Sequence, residues 1–331
     1  MKIFVTGSAG FIGFHLTRRL LADGHSVTGY DGMTPFYDDG LKAGRMALLS
    51  AQAGFSGVQG MLEDAAGLTE ALRASGAEVV VHLAAQAGVR YSIEAPQTYI
   101  SSNLVGTANL LEAVRAHRPR HLVFASTSSI YGGNLAMPFA ETDRADNPVS
   151  LYAATKKGGE AMVHAYAHLW GIPATSMRFF TVYGPWGRPD MAALKFVRAI
   201  EAGEAIEVYG EGRMRRDFTY IDDLIEAIVR IIGRPPVAGE GLEGDTLSPV
   251  APSRIVNLGG GKPRELMDFI AAIETALGKK ARLRFLPMQQ GDVLETYSDV
   301  SLLRQLIGTV PRTSIEDGVA KLVAWYRQFY G

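Results

Sequence analysis

The sequence of 331 residues contains no cysteine. Disulfide bonds and thiolate metal sites are therefore excluded, and a reducing compartment, the cytoplasm, is the expected location. The sequence also lacks an apolar run of the roughly 20 residues that a membrane-spanning helix requires. Because residues 2–6 already have the pattern of a buried strand, we expect neither a signal peptide nor a membrane association.

The chain also lacks an excess of charge of either sign, since 33 Lys and Arg residues nearly balance 34 Asp and Glu residues. Proteins that bind nucleic acids or anionic membranes usually carry a basic surface. We therefore expect a small-molecule partner and no nucleic acid. Apolar residues make up 47% of the chain, and this length suits one large domain with a smaller one beside it.

The first half alternates short β-rich runs with amphipathic runs of helix length. The predicted strands are residues 3–6, 26–30, 79–83, 121–126 and 174–179. The predicted helices are residues 12–23, 65–75, 95–116 and 151–169. This alternation predicts an α/β fold with a Rossmann-type doubly wound parallel sheet.

The pattern changes after about residue 180, where short elements mix with Gly and Pro. Helical periodicity returns at residues 265–277 and 314–330. We therefore predict a first domain of residues 1–180 and a smaller α/β substrate domain of residues 181–331, with some chain crossing back near residues 214–232. The Gly- and Pro-rich residues 233–253 predict an exposed, mobile loop.

A glycine-rich loop follows the first predicted strand and opens the first predicted helix. Gly7, Gly10 and Gly13 have the GxxGxxG spacing, which allows a tight turn and a close backbone approach to a pyrophosphate at a helix N-terminus. Asp31 ends the second strand, where a carboxylate binds the adenosine ribose and repels a 2′-phosphate, so NAD is favoured over NADP. The neighbouring Lys42 and Arg45 weaken that preference, and Asp31 could instead be an ordinary turn residue.

Tyr152 and Lys156 stand four residues apart on one face of a predicted helix. A nearby ammonium group and a positively charged nicotinamide would favour the phenolate form of the tyrosine. Residues 126–129, Ser-Thr-Ser-Ser, end a predicted strand, where ligands bind in open α/β sheets. Taken alone, each of these features is common. A Tyr and a Lys four residues apart are often a surface pair, and Ser or Thr at a strand end is an ordinary turn residue.

The order of these features resembles the extended short-chain dehydrogenase/reductase family over nearly the whole chain. Residues 178–185 and 210–223 look like its nucleotide-sugar epimerase branch. Residues 88–92, 103–107 and 287–293 are similar to UDP-glucuronate 4-epimerases. The resemblance implies interconversion of UDP-glucuronate and UDP-galacturonate by transient oxidation at C4, with the cofactor NAD regenerated in each cycle.

The resemblance also assigns roles to residues. It implies that Thr127, Tyr152 and Lys156 are catalytic. The implied NAD-binding residues are Gly7, Gly10, Phe11, Ile12, Gly13, Asp31, Lys42, Leu62, Leu83, Ala84, Ala85, Tyr152 and Lys156. The implied UDP-sugar-binding residues are Arg90, Thr127, Ser128, Ser129, Tyr152, Thr181, Arg188, Tyr209, Arg216, Gln289 and Asp292.

Two departures from the family pattern stand out. The usual Gly-Asp-Ile is Gly60-Met61-Leu62 here, so the adenine-binding carboxylate is missing or is replaced by Glu63 or Asp64. Thr181 stands where the family usually has Asn.

The residues after Thr127 bear on the product. Related dehydratases and decarboxylases resemble each other in carrying an acid there, whereas this chain has Ser128 and Ser129. Glu141 and Asp143 follow later and are expected to be solvated loop charges. The alternatives are UDP-glucose 4-epimerase, UDP-glucuronate decarboxylase and, from another class, a non-catalytic NAD-binding sensor.

Two further features have more than one interpretation. His164 and His168 have a spacing that metal sites use, but no third ligand is evident, so we expect no metal. The apolar faces of residues 99–114 and 161–169 could form the helix bundle of a homodimer, as in similar epimerases, or ordinary intramolecular core.

Overall fold

The computed structural model describes residues 1–288, 293–309 and 312–331. The strands are β1 (Lys2–Thr6), β2 (Ser26–Asp31), β3 (Phe55–Gln59), β4 (Val79–His82), β5 (His121–Thr127), β6 (Ala174–Phe179), β7 (Thr181–Tyr183), β8 (Ala205–Tyr209), β9 (Arg215–Arg216), β10 (Phe218–Tyr220), β11 (Ser253–Leu258), β12 (Arg264–Glu265), β13 (Arg282–Leu286) and β14 (Glu295–Thr296).

The helices are α1 (Phe11–Ala22), α2 (Asp39–Ser50), α3 (Ala65–Ser75), α4 (Tyr91–Glu94), α5 (Pro96–Tyr99), α6 (Gly106–His117), α7 (Leu151–Trp170), α8 (Ala192–Ala202), α9 (Ile221–Ile232), α10 (Leu266–Leu277), α11 (Ser301–Ile307) and α12 (Ile315–Tyr330). A π-helical turn (Ile100–Val105) joins α5 to α6. Among the residues described, no helix combines the length and apolar character needed to cross a membrane.

A parallel sheet forms the centre of the molecule. Within the described residues it has seven strands, in the order β11-β6-β5-β4-β1-β2-β3. Strands β4 and β5 are buried along their whole length, as strands covered by helices on both faces must be. The strand order reverses beside β1, where the carboxyl ends of a doubly wound sheet leave a crevice. The predicted Rossmann-type doubly wound sheet is confirmed.

Two strands of this sheet had no counterpart among the predicted ones. Strand β3 is partly exposed and contains Gly57, so neither apolar content nor alternation marks it. Strand β11 follows a long irregular segment and pairs in parallel with β6. The predicted helix 95–116 is divided by the π-helical turn.

The second part of the chain forms smaller parallel pairs, β7 with β10 and β8 with β13, while β9 lies between β12 and β14. Helices α8, α10 and α12 pack together. One hydrophobic cluster extends from Ile3 and Val5 in the sheet to Leu322 and Trp325 in α12. Helix α9 packs on α1, and β11 joins the main sheet. The chain beyond residue 180 therefore contributes one helix and one strand to the part of the fold that is built around this sheet. The division at residue 180 stays a prediction.

The segment of residues 233–253 is largely exposed, as expected, but it is anchored near β11; its mobility stays a prediction. Asp245 forms a bidentate ion pair with Arg254 of β11, and both side chains are buried. The Thr246 hydroxyl donates to the backbone carbonyl of Ile255. Residues 238–243 form the exposed tip of the segment, and residues 233, 234, 237, 244, 249 and 250 are exposed as well.

Candidate active site

The glycine-rich loop packs too tightly for any larger residue. A Cβ at Gly13 would lie 2.0 Å from the Gly7 carbonyl oxygen, and one at Gly7 would lie 2.7 Å from the Ala84 nitrogen. Gly7 also has a positive φ of 75°. Gly10 caps α1 without any side-chain hydrogen bond, so the first N–H groups of α1 are open to an anion. This loop fits the pyrophosphate of a dinucleotide.

Asp31 faces the loop from the end of β2. One carboxylate oxygen accepts from the Ala9 N–H at 2.9 Å, and the other accepts from the Met33 N–H at 2.8 Å. Of the two nearby cations, Lys42 lines the cleft and bonds to Thr34. Arg45 is fully buried and does not line the cleft. A ribose hydroxyl can still reach the remaining lone pairs of Asp31.

Glu63 and Asp64, the two alternatives for the missing adenine-binding acid, have different surroundings. Asp64 caps α3 by accepting from the Gly67 N–H at 3.0 Å. Glu63 lines the cleft, and its Oε2 is buried without a hydrogen-bond partner among the described residues. A buried unpaired carboxylate oxygen is costly, so Glu63 is the better acceptor for an adenine amino group.

Helix α7 brings Tyr152 and Lys156 to the carboxyl edge of the sheet. Its N-terminus is capped by the Ser150 hydroxyl, which accepts from the Ala153 N–H at 3.1 Å. Gly159 allows α7 to approach β5, because a Cβ there would lie 2.5 Å from the Phe124 ring. The Lys156 ammonium group consequently lies 4.4 Å from the centroid of that ring.

Burial dominates the electrostatics of this pair in the protein alone. Burial lowers the pKa of Lys156 to about 7, although the charge of Glu160 opposes this shift. Burial raises the pKa of Tyr152, while a hydrogen bond with Thr127 and the charge of Arg188 lower it. In the protein alone, the tyrosine is therefore kept protonated. A lower tyrosine pKa requires additional positive charge from a bound ligand.

Hydroxyl groups line the same cleft as the phenol, and the nearest shown is that of Thr127, which is hydrogen-bonded to Tyr152. Thr127 donates to the Ser129 hydroxyl at 3.2 Å and accepts from the Ser129 N–H. Ser128 and Thr181 line the same cleft. These groups can hold a carboxylate by several hydrogen bonds at once.

The three arginines that the resemblance assigned to the UDP-sugar all line the cleft. Arg188 forms a bidentate pair with Asp190 and donates to the Ala87 carbonyl at 3.3 Å. Arg216 donates to the backbone carbonyls of Val293 and Leu294. Arg90 stacks over the Tyr209 ring at 5.0 Å. An arginine fork suits a diphosphate.

These groups share one cleft of about 1320 Å³, large enough for two nucleotide-sized ligands. The structure brings the following predicted residues to its walls: Gly7, Gly10, Phe11, Ile12, Gly13, Asp31, Lys42, Leu62, Leu83, Ala84, Ala85, Arg90, Thr127, Ser128, Ser129, Tyr152, Lys156, Thr181, Arg188, Tyr209 and Arg216. Gln289 and Asp292 lie outside the described residues. Their ligand roles stay predictions.

Other predicted side chains do not face the cleft. Glu141 is not a solvated loop charge: it is buried, accepts from the Asn257 N–H at 2.8 Å, and burial raises its pKa to about 7. Asp143 accepts from the Ala140 N–H. His164 bonds to Ser248, and His168 bonds to the Val250 carbonyl, so both rings fasten the segment of residues 233–253.

Comparison with known proteins gives the family. Residues 3–242 match the model of the NAD dependent epimerase/dehydratase family. A probable UDP-glucuronate 4-epimerase of Rhizobium meliloti (strain 1021) is 57% identical, with 100% of this chain and 98% of that protein covered. UDP-glucuronate 4-epimerase 1 of Arabidopsis thaliana is 43% identical, with 100% of this chain and 78% of that protein covered.

Among solved structures, this chain resembles the UDP-glucuronic acid 4-epimerase of Bacillus cereus in complex with UDP-glucuronic acid and NAD. The TM-score is 0.89 at 32% identity, and both chains are covered completely. The chain belongs to the NAD dependent epimerase/dehydratase family, so the predicted membership of the extended short-chain dehydrogenase/reductases is confirmed.

Proposed function

We propose that this protein is a UDP-glucuronate 4-epimerase that interconverts UDP-glucuronate and UDP-galacturonate. One observation carries the choice of substrate. The hydroxyls of Thr127, Ser128, Ser129 and Thr181 line the same cleft as Tyr152, and Thr127 bonds both the phenol and Ser129, so the cleft offers a sugar carboxylate several hydrogen-bond donors. The similarity to named UDP-glucuronate 4-epimerases over the entire chain supports the same choice.

NAD would be held by the glycine loop at its pyrophosphate and by Asp31 at its ribose, with Glu63 accepting from the adenine amino group. When bound, NAD supplies a reversible hydride acceptor for C4 of the sugar. The cleft fits it because the glycines leave no space for a Cβ and Glu63 offers an unpaired oxygen. The same cleft has room for a UDP-sugar between Arg188 and Arg216.

Tyr152 acts as the base. It accepts the proton of the sugar 4-hydroxyl as that carbon is oxidised, and it returns the proton when the 4-keto sugar is reduced on its other face. The Thr127 hydroxyl shares the proton through its hydrogen bond with Tyr152. Lys156 stays close because α7 is fixed against β5, and its positive charge favours the phenolate form.

The hydroxyls also protect the intermediate. A 4-keto uronic acid is a β-keto acid, which loses carbon dioxide readily. Thr127, Ser128, Ser129 and Thr181, together with Arg90, hold the carboxylate against departure. No acid follows Thr127 in the chain, and Glu141 points away from the cleft into a buried network, so a decarboxylase or dehydratase is less well supported.

A homodimer and a cytoplasmic location belong to the same proposal and rest on the sequence alone. The sensor hypothesis is disfavoured, since a protein that only binds NAD needs no tyrosine beside a lysine and a threonine. A UDP-glucose 4-epimerase has no need of a ring of carboxylate-binding hydroxyls.

The test is to incubate the purified protein with UDP-glucuronate and to follow the sugar resonances by NMR. UDP-galacturonate is the expected product, without net formation of NADH. A UDP-pentose would replace the proposal with a decarboxylase, and turnover of UDP-glucose alone would replace it with the other epimerase. Tyr152→Phe should lower turnover by about 100-fold or more, whereas Tyr166→Phe on the same helix should retain it.

A further inference from the structure

The mechanism leaves one buried cation unused. Arg45 of α2 is fully buried, and in the described part of the chain its hydrogen bonds all go to neutral oxygens. Nη1 donates to the Ala9 carbonyl at 2.9 Å and to the Tyr37 hydroxyl at 2.8 Å. Nη2 donates to the carbonyls of Trp186 and Gly187. Burial lowers the pKa of the guanidinium, and the charge of Asp31 offsets only part of the cost of this burial. A buried cation that no described carboxylate bonds suggests a purpose beyond packing.

One side of this guanidinium holds the cofactor loop. Ala9 lies inside the glycine-rich loop and is completely buried. Asp31 accepts from its N–H, and Arg45 donates to its carbonyl. The backbone between Gly7 and Gly10 is therefore fixed by two side chains from outside the loop.

The other side holds the loop that carries Arg188. Trp186 has a φ of 58°, a left-handed conformation that is unfavourable for a bulky residue. Its carbonyl accepts a hydrogen bond from Arg45, as the carbonyl of Gly187 does. The preceding Pro185 carbonyl accepts from His15 of α1 at 2.9 Å. Arg188 follows two residues after Trp186, with its guanidinium near the Phe36 and Tyr37 rings.

We infer that Arg45 is a positioning residue that couples the binding of NAD to the binding of the UDP-sugar. A ligand on the glycine loop further stabilises the position of Ala9, which Arg45 links to Trp186, and so favours the loop conformation in which Arg188 meets the diphosphate. Ordering by one ligand lowers the cost of ordering for the other, which is positive coupling. The inference rests on the proposed function only in assigning the diphosphate to Arg188.

The experiment measures coupling rather than activity. The holoenzyme is mixed with radiolabelled NAD, and the exchange of bound NAD is timed with and without saturating UDP. Calorimetry establishes UDP binding separately. In the wild-type protein, UDP should slow exchange by about fivefold or more, the lower end of ordinary coupling. In Arg45→Met, the ratio of the NAD exchange times with and without UDP should fall below about twofold.

A matched variant separates coupling from stability. Arg254→Met also removes a buried arginine, but the hydrogen bonds of Arg254 go to Asp245 and to neither loop. It should leave the UDP effect on exchange at the wild-type ratio. If Arg45→Met does not fold, Arg45→Lys serves, because one ammonium group cannot span both sets of carbonyls, and its ratio should also fall toward one.

Three results would overturn the inference. A wild-type ratio in the Arg45 variants would show that another route couples the sites. UDP binding without any effect on wild-type exchange would remove the coupling and leave the proposed function standing. Failure of the wild-type protein to bind UDP would remove the proposed UDP site and this inference with it.

Discussion

The ammonium group of Lys156 lies where the fold offsets only part of the cost of burying its charge. The side chain is buried, its partner in the described structure is the face of Phe124, and burial lowers its pKa to about 7. Catalytic groups often carry such a cost, since a site shaped for a bound ligand is not optimal without it. The cost depends on pH in a defined direction.

We predict that Lys156→Met stabilises the NAD-free protein by about 2–4 kcal/mol at pH 6. Below about pH 7, the wild-type lysine is charged in both states, so the folded state bears the full cost of burial. Between there and the unfolded pKa of about 10.4, the folded lysine is neutral and unfolding takes up a proton, so wild-type stability rises with pH.

Urea unfolding of both proteins at pH 6 and pH 9 checks this prediction. The advantage of the variant should shrink at the higher pH. Lys157→Met is the matched control, because Lys157 is a third exposed and pairs with Glu160 at 3.5 Å. An equal effect of pH on both variants would contradict the assignment to Lys156.

At the residue scale, the sequence predicted the chemistry of the site better than its electrostatics. The spacing of Tyr152 and Lys156 on a helix needs only local periodicity. The shifts of their pKa values depend on burial by residues distant in the chain, so the sequence did not predict that burial raises the Tyr152 pKa in the protein alone. The lowering expected with bound NAD stays a prediction. Likewise, only the three-dimensional packing separates Glu63, in the cleft, from Asp64, which caps α3.

At the scale of elements, the β1–α1 turn shows how strictly the sequence is constrained. We predict that Gly13→Ala destabilises the protein by about 1–3 kcal/mol and abolishes NAD retention through gel filtration. The new methyl group would meet the Gly7 carbonyl, which must then move and widen the pyrophosphate site.

Gly133→Ala is the control for this change, because a Cβ there has open space and should alter stability by less than about 0.5 kcal/mol. Thermal unfolding and the absorbance of co-purified NAD provide the two measurements. Retention of NAD by Gly13→Ala would show that the loop is not the pyrophosphate site.

The segment before β11 gives a second prediction at this scale. Asp245→Ala leaves the buried Arg254 without its counter-ion and should cost about 3 kcal/mol. Hydrogen exchange should rise first in residues 244–254, which the pair fastens to the sheet. Asp146→Ala removes an exposed pair with Arg144 and should cost less than about 1 kcal/mol. Equal protection of residues 244–254 from hydrogen exchange in both variants would show that the Asp245–Arg254 pair does not fasten the segment.

The elements that the sequence did not predict share a physical cause. Strand β11 has an apolar stretch too short to stand out, and its place is fixed by pairing with β6 and by the Asp245–Arg254 pair. Strand β3 lies at the sheet edge, where burial no longer demands apolar residues. By contrast, β4 and β5 are buried on both faces, and their continuous apolar runs were sufficient to predict them as strands.

At the scale of the whole molecule, the two parts of the chain depend on each other. The cleft is formed by the carboxyl edge of the main sheet on one side and by residues from β7, β8 and β9 on the other. Chain from the second part returns to the first at α9 and β11. Asn257 of β11 also completes a buried network, since its backbone N–H donates to the Glu141 carboxylate and its side-chain oxygen accepts from the Tyr131 hydroxyl.

We therefore predict that residues 1–180 do not fold on their own. Without β11, the buried strand β6 becomes an unprotected edge, which favours aggregation. Tyr131 and Glu141 also lose Asn257, which bonds both of their side chains. The control is a chain divided after Gly241, within the exposed tip of residues 238–243, whose two pieces should co-purify as a complex that retains NAD. Size-exclusion chromatography and circular dichroism distinguish the cases, and a monomeric 1–180 fragment that unfolds cooperatively would establish an independent first domain.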